Sequence, residues 1–447
     1  MGLLKEMALE HTAAIDAEQW PGVARVPSGR LLGLRARHAE ADFAHACDRA
    51  GLVLDAEDPE DLDLKVEYDS LFTRIASSGW LGVAESYLAG EWTTPSTDKL
   101  VHVLTRLVQC GYSPKTPTAP VAAYEGGEIP QELLALYAGD SVSHQGGIFA
   151  TGVPTTTRQT IDRQGKLVGA ELHNRRGLPA GAHFVDVTTM TEPQAVDRED
   201  LKSAQTRAAN WLLDATGVRA GSHCLVFPSS GARAAVEAAG RKATVDLLSA
   251  DPASLRPLEE FFLLEGAEDS VHCQLIDAPI PGPRQWRGRY DSIISVELFE
   301  ALTPRQRTDY IDTLGRLLIS GGKAAVQSLV ATEHMTSAAR SACQVLRAYI
   351  WPGLKYPTVA DVHKAFEKNG HLRIIGEAHT GSHYRESIAQ QRSFFSGRLR
   401  EAAAAGFDPV YRRLWMFQFA LREALLQAGM RVSVQFVARH RSRGGQR

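Results

Sequence analysis

From residue 221 onward the apolar positions keep changing period. HCLVF (223–227) is a short continuous apolar run, the pattern of a strand buried on both faces. An alanine-rich helical stretch follows it, then ATVDLLS (243–249), the helical LRPLEEFFLLEG (255–266), VHCQLI (271–276) and YDSIISVELFEAL (290–302). RQRTDYIDTLGRLLI (305–319) returns to helical spacing, and GGKAAVQSLV (321–330) reads as another strand. This alternation predicts a parallel sheet with helices on both faces. The chain closes with a long helix, PVYRRLWMFQFALREALLQAG (409–429), and an apolar strand, RVSVQFVAR (431–439). The helix is apolar on most faces, which predicts core packing against the sheet, not a membrane anchor.

The first half is less regular. DLDLKVEYDSLFTRIA (61–76) alternates and then turns helical, and 41–112 reads as compact and α+β. The stretch 113–160 is rich in Pro, Gly and Thr and reads as a linker or long loop, with one short helix at PQELLALYAG (130–139). Residues 161–198 carry no assignable pattern, whereas 198–217 has an apolar stripe that stops at Gly217. The expected domains are therefore 1–112, an irregular 113–198, and 199–447, with a largely helical lid over about 335–405.

Composition changes this picture little. The chain has 447 residues, 44% hydrophobic and 23% charged, with a net charge of -3, so it is neither a nucleic-acid binder nor an acidic tail. No apolar run is long enough to span a membrane, and MGLLKE is neither a secretion signal nor a good myristoylation site. Five scattered cysteines without a CxxC fit reduced thiols in cytoplasm. His363, His371, His379 and His383 are irregularly spaced and no HExxH is present, so no metal site is expected. The basic ending HRSRGGQR reads as a solvated tail.

Six segments, in order, carry a resemblance: AIDAEQWPGVARVP (14–27), GWLGVAESYLAGEWTTPSTDKLVHVL (79–104), YDSIISVELFEAL (290–302), YIWPGLKYPTVADV (349–362), SHYRESIAQQRSFF (382–395) and GFDPVYRRLWMFQFALREA (406–424). Together they resemble the cyclopropane-fatty-acyl-phospholipid synthases, particularly the actinobacterial branch that methylates oleoyl chains toward 10-methyl fatty acids. The resemblance implies an α/β fold: a Rossmann-like class I methyltransferase sheet with an antiparallel last strand and a helical lid, preceded by a smaller α+β domain. It implies that S-adenosylmethionine methylates a cis double bond in a phospholipid acyl chain. A bound bicarbonate then takes a proton from the carbocation, leaving a cyclopropane or a methylene. In the 10-methyl branch a flavin-dependent reductase saturates the methylene. Implied partners are phospholipid acyl chains, a peripheral membrane contact, and either a homodimer or a heterodimer with an active paralogue.

Residue by residue the match is uneven. Glu300 stands where the family holds bicarbonate, although its residues alone also fit an acid at a helix N-terminus. Tyr384 matches a tyrosine whose hydroxyl reaches the bicarbonate. Gln327 stands where many members have His and the oleoyl branch has Gln, and its amide can still donate. The family's Glu-Ile-Gly-x-Gly-x-Gly turn is replaced by Val226, Phe227, Pro228, Ser229, Ser230, Gly231 and Ala232. Pro228 fixes φ and removes an N–H where glycine would let the cofactor approach. Ser230, Gly231 and, after the second strand, Ser249 are the cofactor-contact candidates; Pro252 replaces a cofactor-contacting glutamine. The family's His-Tyr-Asp-x-x-Asn-Asp and Met-x-Tyr-Ser-Cys-Ala motifs have no match in 141–200, where SHQGGIFATGV and HFVDVTTMTEPQ are the nearest fragments. Three readings follow: a working lipid C-methyltransferase with an altered cofactor loop, a catalytically silent member that supports an active paralogue, or a lipid-binding module. An open cavity at the ends of the strands carrying Phe227 and Ser249 would favour the first.

Overall fold

The period of two in HCLVF sends Cys224 and Val226 to one side of a sheet and Leu225 and Phe227 to the other, where each joins a separate buried core. Burial on both faces is what a parallel strand needs, and it explains the unbroken apolar run. The computed structural model describes residues 11–29, 32–54, 56, 58, 60–114, 121–140, 142–168, 181–196, 200–368 and 371–441. MGLLKE and residues 442–447 of the basic tail lie outside these.

Two units interleave along the chain. The first comprises Met1–Val121, His334–Pro352 and Gln391–Met430. It is helical, apart from a two-stranded ladder of β1 (Lys65–Val66) and β2 (Trp92–Thr93). The helix Pro409–Gln427 packs here on the helices Thr97–Gln109 and Trp80–Ala89, not on the sheet as its sequence suggested. Its apolar faces are nonetheless core: Leu414, Trp415, Phe417, Phe419, Leu421 and Leu425 are all buried. Among the described residues no helix is long and apolar enough to cross a membrane. Fully buried Arg74 lies beside Glu91, Nε 3.0 Å from both carboxylate oxygens, and also donates to the carbonyls of Gly22 and Val23. A buried charge requires such complete partnering.

The second unit comprises Ala122–Glu333, Gly353–Gln390 and Arg431–Arg447. It is built on a nine-stranded sheet. In chain order its strands are β3 (Thr155–Ile161), β4 (His183–Thr189), β5 (His223–Val226), β6 (Thr244–Ser249), β7 (Val271–Leu275), β8 (Tyr290–Val296), β9 (Leu318–Ala331), β10 (Leu372–His379) and β11 (Arg431–His440). Their order across the sheet is β3-β4-β10-β11-β9-β8-β5-β6-β7. From β9 to β7 every pairing is parallel, whereas β11 runs antiparallel to both β9 and β10. The antiparallel last strand expected from the sequence is present.

Three expectations are corrected. The stretch 113–160 is not all linker or loop: Thr155–Ile161 forms β3, which pairs with β4 from the unassigned 161–198, and the two extend the sheet beyond β10. The first four residues of β3 are exposed, so no apolar alternation betrayed it. The region 335–405 is not one helical lid: it is divided between the units and contains β10. For the same reason the units do not follow the boundaries 1–112, 113–198 and 199–447.

Candidate active site

The chemistry gathers where β8 and β9 end. After Val296 the chain turns at Glu297, which takes φ +56°, a conformation that side chains other than glycine rarely adopt. Its backbone N–H stays tied to the carbonyl of Gln327 across the β8–β9 pairing. A short 3-10 turn, Phe299–Ala301, then places Glu300. Arg307 pins that turn by donating to the carbonyls of Phe299 (2.9 Å) and Glu300 (3.2 Å). Burial pulls the Arg307 guanidinium down to about 10.

The Glu300 carboxylate faces β9. Ser328 Oγ donates to one oxygen at 2.8 Å and the Leu329 backbone N–H to the other at 3.1 Å. Burial, reinforced by the charge of Glu297, raises its pKa to about 7.

The other two catalytic candidates meet Glu297 and not Glu300. Tyr384 Oη donates to one Glu297 oxygen at 2.9 Å, and Gln327 Nε2 lies 3.4 Å from the other. Gln435 Nε2 on neighbouring β11 holds Gln327 Oε1 at 2.8 Å and so turns its amino group toward Glu297. Two further groups come from SHQGG: the Gly146 N–H at 3.4 Å and His144 Nε2 at 3.5 Å. This fragment was the nearest remnant of a missing motif, and it enters the site after all. Gly146 has to be glycine, because a Cβ there would run into the Tyr384 ring. Gly147 N–H is held by Ser387 Oγ at 2.8 Å, and Phe149 N–H by His383 Nδ1 at 3.1 Å.

Glu297 was missed by the sequence reading. The available signal was a lone carboxylate between Val296 and Leu298 in the apolar run IISVELF.

The ends of β5 and β6 differ. Phe227 is fully buried and packs on Tyr310, so it belongs to the core beneath the strand end. Ser230 Oγ donates to the Val296 carbonyl at 2.6 Å, and the Ser230 carbonyl accepts from Ser143 Oγ at 2.7 Å. Gly231 has no room for a Cβ, which would meet Val226 Cγ1 at 2.6 Å. Ser249 Oγ donates to Glu128 Oε1 at 2.8 Å, and Ser229 Oγ donates to Glu128 Oε2. Glu128, from the stretch read as a linker, therefore joins the two strand ends. Burial raises its pKa. The Glu128 N–H is held in turn by Asp251, which also caps the helix Pro252–Leu264.

Among the described residues no cluster of His, Cys, Asp and Glu could hold a metal ion. His363 and His379 flank Glu377 instead. Against its burial, these two imidazoles lower the Glu377 carboxyl to about 2.

A parallel sheet with one antiparallel inner strand, and polar groups collected at the strand ends, is the class I S-adenosylmethionine-dependent methyltransferase fold. The family model for mycolic acid cyclopropane synthetase matches residues 194–436. The chain belongs to that family, whose members are cyclopropane fatty acyl synthase-like lipid methyltransferases. It is 27% identical over 434 residues to tuberculostearic acid methyltransferase UfaA1 of Mycobacterium tuberculosis, covering 94% of each chain. It is also similar to a solved coclaurine N-methyltransferase bound to N-methylheliamine and SAH, with TM-score 0.50 and 11% identity over 80% of this chain and 94% of that one. A further similar structure is mycolic acid cyclopropane synthase CmaA1 complexed with SAH and CTAB, with TM-score 0.48 and 18% identity over 55% and 87% of the two chains.

Proposed function

We propose that the chain transfers a methyl group to a cis double bond of a phospholipid acyl chain. The observation that carries this reading is the pair of buried carboxylates, Glu297 and Glu300, at the end of β8. When bound, S-adenosylmethionine supplies a sulfonium methyl, whose transfer to an alkene leaves a cationic carbon on the acyl chain. Fixed carboxylates in a site closed to water stabilise such a cation far better than water-exposed ones. Tyr384 and Gln327 hold Glu297 in place, and Ser328 with Leu329 holds Glu300. No group needs to reorganise as the charge forms.

On the donor side, the chemistry fits a diol. Glu128 accepts two hydroxyls, from Ser229 and Ser249, one on each oxygen. The ribose of S-adenosylmethionine presents the same pair of donors. Glu128, with Ser229 and Ser249 around it, is the group to hold that ribose. Peripheral contact with a membrane follows from a phospholipid substrate.

Glu128 also favours a second reading, in which it closes the cofactor end of a silent member serving an active paralogue. Calorimetric titration with S-adenosylmethionine separates the two. The first reading expects micromolar binding that weakens in Glu128→Gln, together with gain of one CH2 by an oleoyl phospholipid in mass spectrometry. No heat and no product from the wild type, with binding appearing in Glu128→Ala, would overturn it in favour of the second.

A further inference from the structure

We propose that Glu297 is the resident base of this site: its carboxylate, and not a dissociable anion, receives the proton lost from the alkylated acyl chain. This inference rests on the methyl-transfer reading. Its backbone conformation, φ +56°, is strained for a residue other than glycine. Such a conformation persists only where the surroundings enforce it. Here they do so through the side chain, which is 4% exposed and faces Tyr384 Oη, Gln327 Nε2, the Gly146 N–H and His144 Nε2 at 2.9–3.5 Å. Tyr384 and Gln327 are the two groups expected, from the resemblance, to hold a bound anion. Both are turned to a carboxylate that the chain itself supplies.

Glu300 has its own donors on β9, Ser328 Oγ and the Leu329 N–H, whereas Tyr384 Oη and Gln327 Nε2 meet Glu297. Gln327 Nε2 and the Gly146 N–H each lie 3.4 Å from Glu297 Oε1, long for hydrogen bonds. A C–H bond breaks, either on the added methyl or on the carbon that carries it, its electron pair closes onto the cationic carbon, and the proton goes to a Glu297 oxygen. If the C–H belongs to the added methyl, the product is a three-membered ring; if it belongs to the methyl-bearing carbon, the product is an alkene. His144, 3.5 Å away and 16% exposed, offers the proton a way to solvent.

The test has two arms. In the binding arm, Glu297→Gly relieves the backbone strain and vacates the carboxylate. Its melting temperature should rise saturably with formate or bicarbonate, and that response should disappear in Glu297→Gly/Tyr384→Phe, whereas the wild type shows none. In the turnover arm, wild-type methylation should be indifferent to removal of bicarbonate. Glu297→Gln should lose at least about a hundredfold in turnover while still binding S-adenosylmethionine, and formate should restore part of the activity of Glu297→Gly. A Glu297→Gln enzyme as fast as the wild type, a wild type that requires bicarbonate, or a Glu297→Gly chain with no anion response would overturn the inference. A wild type that transfers no methyl at all would instead sink the methyl-transfer reading.

Discussion

The two halves of the sheet's functional edge have been built by different means. Where β8 and β9 end, polar groups converge on two carboxylates, and nearly every donor there points at one of them. Where β5 and β6 end, an aromatic side chain completes the core and two serines are spent on a single acid. The two ends are neighbours, since β8 pairs directly with β5, and Ser230 Oγ on the β5 side donates to the Val296 carbonyl on the β8 side. The difference teaches that one sheet edge can gather polar groups on carboxylates at two strand ends while the neighbouring pair is closed by core packing and serine–acid contacts.

That contrast can be broken by substitution. Phe227→Ala should be the most damaging, costing about 3–5 kcal/mol in urea unfolding, because it empties a packed position against Tyr310. A much smaller loss would mean that the β5 end is soft and open to a ligand. Glu300→Leu should cost about 2–4 kcal/mol, since it leaves Ser328 Oγ–H and Leu329 N–H without their acceptor in the interior. Glu300→Gln should be milder in stability and still abolish most turnover.

The third test uses pH. The Glu300 carboxyl is raised to about 7 in the fold, so the folded chain keeps a proton that the unfolded chain releases near the ordinary value of 4.5. The stabilisation is complete below the unfolded value and is lost as pH rises through about 7. Unfolding at about pH 5 and about pH 8 should therefore show the wild type losing stability relative to Glu300→Gln as pH rises. An identical pH profile for the two proteins would mean that Glu300 is not held in a raised state. The smallest effect belongs to Ser249→Ala, about 1 kcal/mol, because Glu128 keeps Ser229.

The sequence made most of the parallel half legible. β5, β6, β8 and β9 are short apolar runs between helical stretches, and burial on both faces writes them plainly. β3 was hidden because TTTRQTI is polar along its exposed residues, and β4 because HFVDVTT buries His183 and exposes Phe184, against the usual pattern. The site divided in the same way. Glu300, Tyr384 and Gln327 were found through resemblance, but Glu297, the group that gathers the last two, was not. No periodicity announces a residue whose backbone turns into the left-handed region, and Glu128 sat in a stretch whose Pro and Gly content masked it.

The place of β11 has a consequence for the making of the protein. This strand lies between β9 and β10, inside the sheet, yet it spans Arg431–His440, near the end of the chain. During synthesis β9 and β10 emerge from the ribosome well before the strand that joins them. Until it arrives, each presents an unpaired edge, the kind of surface on which neighbouring nascent chains associate. The nascent sheet therefore keeps these two edges open until β11 has been made, longer than a sheet whose last-made strand lies at the rim.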